Sequence, residues 1–252
     1  MRTGRRVPLV TAALAAVLVT AACGSQMGTD DRVLPASTTT TIAAPEVAAA
    51  EGTTTTTLVA RADHDLDVYP TPDAAAPPAL TLPATTEFGS PRALMVLQDL
   101  GEWLEVSLPE RPNGSTGWVL RAEVELREVD EAIDIDLAAR TLTLRDGGET
   151  VLTTPVAIGA VEAPTPTGAS YVVDKLTTED PTGPYGLYAL GLALHSDVFT
   201  DLAGGDGQVG IHGTNDPASI GQAVSHGCIR VPNEVSATLN DLVQLGTPVT
   251  IS

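Results

Sequence analysis

Two short stretches hold most of the side chains in this chain that could carry out covalent chemistry. They are Ile211-His212-Gly213-Thr214 and Ser225-His226-Gly227-Cys228-Ile229-Arg230-Val231, and they place His212, His226 and Cys228 within seventeen residues. A cysteine attacks a carbonyl carbon as thiolate, and a neighbouring imidazole supplies that activation. Residues at i and i+2 of an extended strand share a face, so His226 is expected beside Cys228. The loop and short helix after His212 are long enough to return its ring to the same place. Gly213 and Gly227 leave backbone groups unobstructed, a carbonyl to orient a base and N–H groups to cradle an oxyanion.

Other uses of these residues carry less weight. Zinc favours Cys and His, but a third or fourth ligand would have to come from His195 or a carboxylate. A buried structural cysteine with incidental histidines is a further alternative. Arg230 could bind a substrate group or simply pair with one of the chain's many acids. His64 sits among Asp63, Asp65 and Asp67 and reads as part of a solvated charge cluster. His195 follows the apolar run Leu187–Leu194 and reads as a wall residue rather than a catalyst.

Short strands must position this chemistry. Ile133–Leu137 and Leu142–Leu144 alternate, Asp146-Gly147-Gly148 is a turn before Val151–Ile158, and Tyr171–Val173 and Val249–Ile251 continue the series. Asp216, Pro217 and Gly221 predict one helical turn capped by Asp, opened by Pro and stopped by Gly. Asn233 is expected to cap a second helix, with Val235, Leu239, Leu242 and Val243 on one face. Upstream, Val59–Arg61, Ala93–Leu97, Trp103–Val106 and Gly117–Val119 are β-like, and Pro109–Thr116 is a hairpin loop. Trp103 and Trp118, the two tryptophans of the chain, are expected in the core of that region.

The first residues predict export. Arg2, Arg5 and Arg6 precede an apolar run from Val7 to Val19, too short to span a bilayer comfortably but suited to a signal-peptide core. Thr20-Ala21-Ala22-Cys23 then resembles a bacterial lipobox, with Thr20 where Leu is usual. The expectation is a signal peptide over 1–22 and lipidation at Cys23, anchoring the protein to a membrane. Lipidation would leave Cys228 as the one free thiol in an oxidising compartment, which favours a reactive role over a packing one. Residues 23–57 carry two threonine runs among Ala, Pro and Glu and have little to bury. They read as a disordered tether reaching on the order of 30 Å. The net charge of −19 argues against nucleic-acid binding, which needs dense Lys and Arg.

The HGT and SHGCIR stretches, sixteen residues apart from His212 to Cys228, resemble the catalytic motif of the YkuD-type L,D-transpeptidases. Pro164-Thr165-Pro166-Thr167-Gly168 is similar to that family's PTPTG loop, and Ala157-Ile158-Gly159 to the strand before it. The resemblance spans residues 129–252 and implies a mainly β protein with a β-sandwich catalytic domain and short helices, without metal or other cofactor. It implies that Cys228 is the nucleophile, that His212 activates it, and that the Gly213 carbonyl orients the imidazole. It further implies an oxyanion site at the Gly227 and Cys228 N–H groups, a pocket shaped by Ser225 and His226, and an Arg230 that holds a substrate carboxylate or the site loop. The implied activity is acyl transfer from a peptidoglycan stem tetrapeptide through a thioester to an amine, giving 3→3 crosslinks. An L,D-carboxypeptidase, or a wall-binding lipoprotein with an inactive enzyme domain, are the alternatives. Gly101–Val106 and Gly117–Val119 resemble the last half of a bacterial SH3-like barrel, so residues 58–128 are expected to form an SH3-like domain.

Overall fold

The computed structural model describes residues 56–200 and 206–252. The expected signal peptide, Cys23 and nearly all of the tether lie outside the described residues. Seven strands come first: β1 (Thr57–Ala62), β2 (Leu66–Val68), β3 (Leu80–Leu82), β4 (Arg92–Asp99), β5 (Trp103–Ser107), β6 (Thr116–Leu120) and β7 (Glu125–Val129). Ten more strands and one helix follow: β8 (Glu131–Asp136), β9 (Thr141–Asp146), β10 (Glu149–Pro155), β11 (Ile158–Gly159), β12 (Gly168–Thr177), β13 (Tyr188–His195), β14 (Gln208–His212), β15 (Ala223–Ser225), β16 (Ile229–Arg230), α1 (Asn233–Leu242) and β17 (Pro248–Ile251).

The first group forms a five-stranded sheet in the order β6-β5-β4-β1-β7, with β2 and β3 as a separate hairpin. Alternation along β5 sends Leu104 and Val106 inward and leaves Trp103 half-buried. Trp118 on β6 is likewise half-buried beside the buried Val119. The two tryptophans therefore lie on the face opposite the core, not in it, and Trp103 meets Tyr69 edge-on at 5.2 Å. The hairpin loop falls between β5 and β6, as its Pro, Asn and Gly content predicts.

The second group forms an eight-stranded mixed sheet in the order β10-β9-β8-β17-β12-β13-β14-β16. Apolar residues from distant strands of this sheet, Leu142 and Leu144 on β9 and Ile211 and Ile229 on β14 and β16, share one buried cluster. The sheet therefore curls so that one face closes on itself, and the two layers expected of a sandwich are the ends of a single sheet. Leu239 and Val243, at the end of α1, are buried in the same cluster. Leu242 is 42% exposed, so it leaves the face on which the 3.6-residue period places it.

The strands β12 and β13 are buried on both faces. Val172, Leu190 and Leu192 enter the curled core, whereas Tyr171, Val173 and Ala193 point the other way, into the core of the five-stranded sheet. The Tyr171 hydroxyl donates to the Ser107 carbonyl at 2.9 Å, so this polar atom is satisfied where it enters the seam.

Candidate active site

Parallel pairing of β14 with β16 sets Ile211 opposite Ile229 and His212 opposite Arg230. Cys228, immediately before β16, is thereby drawn to the strand that carries His212. The fifteen residues between them return through a short 3-10 turn, Pro217–Ser219, and β15. In that turn Asp216 makes no side-chain cap; the Thr214 hydroxyl instead accepts from the Asp216 N–H at 3.0 Å. His212 and Cys228 line one cavity of ≈ 390 Å³, with Tyr185, Gln208 and Gly210 among its other walls.

The His212 ring is held in one tautomer. Its Nδ1 lies 2.6 Å from the Gly213 carbonyl oxygen. A carbonyl can only accept, so Nδ1 carries the proton and Nε2 keeps its lone pair. Burial pushes the His212 pKa down to about 4, against the contrary pull of the Gly213 carbonyl and with a smaller push from Arg230. The imidazole is therefore a neutral base at pH 7. Tyr185 packs against it edge-on, with ring centroids 4.7 Å apart.

The thiol is poised differently. Burial raises the Cys228 pKa, while the Gly210 N–H and the Arg230 charge pull it back. The resting pair is thus a neutral thiol beside a neutral base, and a proton must leave Sγ as it attacks.

Asn233 fixes the loop that carries the orienting carbonyl. Instead of capping α1, its Oδ1 accepts from the Thr214 N–H at 2.7 Å. Gly213 is required at this contact, because a Cβ there would stand 2.2 Å from Asn233 Oδ1. The sequence marks Asn233 only as a helix start, so its grip on the HGT loop is a positioning role that local patterns do not reveal.

The SHGC segment is a bend between β15 and β16, not an extended strand. Gly227 sits at φ +119, a region that disfavours other residues. The i, i+2 argument therefore fails: His226 is exposed and meets Phe199 at 5.8 Å instead of flanking Cys228. Ser225 is buried and organises the bend, donating to the Cys228 carbonyl at 2.5 Å and accepting from the Gly227 N–H at 3.2 Å. That second bond occupies the Gly227 N–H, one of the two donors expected for an oxyanion. The Thr165 hydroxyl donates to the Gly227 carbonyl at 2.8 Å and accepts from the Gly159 N–H at 2.9 Å. The PTPTG stretch thus serves to hold the cysteine bend.

Arg230 does not line the cavity shared by His212 and Cys228. Its backbone N–H and carbonyl pair with Ala157, and its buried Nε makes no hydrogen bond. His195 is buried and its Nε2 lies 2.7 Å from Asp206 Oδ2, as befits a satisfied wall residue.

A buried neutral imidazole on a backbone carbonyl, sharing a cavity with one thiol, can support cysteine acyl-transfer chemistry, and comparison with known proteins narrows the reading. The YkuD family, whose sequence model describes the L,D-transpeptidase catalytic domain, matches residues 130–251. Residues 130–251 thus resemble an L,D-transpeptidase catalytic domain. The chain is similar to the L,D-transpeptidase YkuD of Bacillus subtilis, 40% identical over 120 residues, which are 48% of this chain and 65% of that protein. It resembles the YkuD protein of Bacillus licheniformis at 38% identity, over 48% of this chain and 64% of the relative. The chain thus spans just under two thirds of the length of these curated relatives. Among solved structures, an L,D-transpeptidase from Mycobacterium smegmatis aligns with a TM-score of 0.40 and 20% identity, over 62% of this chain and 80% of that one. The matched region begins one residue after β7, so the five-stranded sheet precedes it in sequence and yet shares a core with it.

Proposed function

We propose that this chain is an L,D-transpeptidase of the cell envelope that forms 3→3 crosslinks between peptidoglycan stem peptides. The observation that carries the reading is the shared cavity of His212 and Cys228, with the imidazole locked so that Nε2 is its free base. Cys228 Sγ attacks the carbonyl of the third residue of a stem tetrapeptide while His212 Nε2 takes its proton. The tetrahedral oxyanion is stabilised by backbone N–H donors at the cysteine bend, Cys228 foremost, since Gly227 is engaged with Ser225. Collapse breaks the peptide bond to the terminal D-alanine, whose nitrogen leaves with the proton held by His212. The amine of a second stem then attacks the thioester, gives its proton to His212 and releases Cys228 as the thiol.

Arg230 supports this chemistry by lowering the energy of the thiolate through its charge. Its expected role as holder of a substrate carboxylate or of the site loop belongs to the same proposal. So do the signal peptide over 1–22, the lipid anchor at Cys23 and the tether over 23–57, which would hold the enzyme at the membrane and within reach of the wall. The five-stranded sheet is assigned as the SH3-like unit.

Incubation of the full chain with a defined tetrapeptide donor tests the reading. Intact-mass spectrometry should show an acyl adduct on Cys228, and addition of an acceptor stem should convert it to a crosslinked dimer. Release of tripeptide alone, with acceptor present in excess, would assign an L,D-carboxypeptidase instead.

A further inference from the structure

The cavity that holds the thiol is not built from the catalytic domain alone. Glu87 and Phe88, from the loop between β3 and β4, line it together with His212 and Cys228. This loop is a constructed element. The Thr86 N–H donates to the Ser90 carbonyl at 2.9 Å, and the Gly89 N–H to the Thr86 carbonyl at 3.0 Å, closing a tight turn. The Arg92 guanidinium donates to the Pro83 and Thr85 carbonyls at 3.0 and 3.1 Å and braces its base.

The turn is latched to the catalytic sheet through a carboxylate. Asp174, on β12, is 1% exposed. It accepts from the Thr86 hydroxyl at 2.5 Å on one oxygen and from the Gln208 amide at 3.3 Å on the other. Gln208 is itself a wall of the cavity. A buried carboxylate stays only where its oxygens are satisfied, so Asp174 binds the turn and β14 into one unit.

The charge of the cavity points to what it accepts. Among the described residues its lining holds two carboxylates, Glu87 and Asp206, and no Lys or Arg. Asp206 is taken up by His195 at 2.7 Å. Glu87 has no ion-pair partner among the described residues, and the ring of Phe88 beside it is 51% exposed. An unpaired carboxylate next to an open aromatic ring matches a protonated amine carried on an apolar stem.

We propose that the Thr86–Gly89 turn is the specificity wall of the catalytic cavity, with Glu87 receiving a protonated side-chain amine of the peptide substrate and Phe88 covering the carbons that carry it. The proposal rests on the acyl-transfer reading above and assigns the five-stranded sheet a part in substrate selection.

The test uses the full chain and two tetrapeptide donors of one sequence, the third-residue side-chain amine free in one and acetylated in the other. Wild type favours the free amine, with the difference in KM and not in kcat, and the preference shrinks as salt is raised. Glu87→Gln brings the two donors to near-equal kcat/KM, a loss of about two- to fivefold for the free amine, as an exposed ion pair provides. Phe88→Ala raises KM for both donors. Wild type without a preference, Glu87→Gln with its preference intact, or Phe88→Ala with both KM values unchanged would each overturn the assignment. If wild type turns over neither donor, the acyl-transfer reading itself fails and the assignment falls with it.

Discussion

His195 and His212 occupy opposite ends of one antiparallel strand pair and are 4% exposed alike, yet only one can act as a base. At the β13 end, the Asn113 side chain clamps the His195 backbone, with bonds of 2.8 Å to its carbonyl and its N–H. The ring then spends Nε2 on Asp206. At the β14 end, the His212 ring has only the Gly213 carbonyl as a hydrogen-bond partner among the described residues, at Nδ1, and its other nitrogen faces a cavity with a thiol in it. The partner decides which nitrogen of each ring remains available. Function here resides in the nitrogen left without a partner.

Breaking the productive end should have the largest effect. Cys228→Ala is expected to abolish the acyl adduct seen by intact-mass spectrometry while the far-ultraviolet circular dichroism stays unchanged. His212→Gln should retain the thiol but slow acylation by ~10²–10⁴, as loss of a general base does. Single-turnover kinetics with the tetrapeptide donor would measure it.

A pH series sharpens the comparison. Because His212 has its pKa lowered to about 4, acylation should persist through pH 5–6, where an ordinary histidine is protonated, and fail only as pH falls towards 4. The raised thiol pKa gives the opposite limb: alkylation of Cys228 by iodoacetamide should be slow at pH 7 and accelerate only above the usual thiol range. A half-maximal rate near pH 6.5 would mean that His212 is not desolvated.

Smaller effects should follow from the supports. Asn233→Ala frees the Thr214 N–H and loosens the carbonyl that fixes the tautomer, so kcat should fall about tenfold, the scale of one hydrogen bond to a positioned group. His195→Gln should change kcat by less than about threefold and lower the thermal midpoint by a few degrees, the scale of losing about 1 kcal/mol in a domain this size. A large loss of kcat in that variant would erase the distinction between the two ends.

Much of this site is legible in the sequence because its motifs are local. The HGT and SHGC stretches each lie on one loop, and their separation closes once two adjacent parallel strands receive them. What escapes is set by tertiary packing. His226 is misplaced by the strand rule because Gly227 turns the chain between β15 and β16. Asn233 and Thr165 act across 19 and 62 residues, and Glu87 reaches the cavity from the other sheet, separations that no periodic pattern records. The fold follows the same rule. Alternating strands can be read, whereas the short apolar run Tyr171–Val173 of β12, buried on both faces, hides its second neighbour.

That second neighbour has a consequence for modular evolution. Asp130 alone lies between β7 and β8, and Tyr171, Val173 and Ala193 put catalytic-domain side chains inside the other sheet's interior. Cutting the gene at that point would leave each fragment with a raw greasy surface. A recombination event that trades one half must also supply a surface to cover Tyr171, Val173 and Ala193, which favours divergence of the two sheets as a matched set.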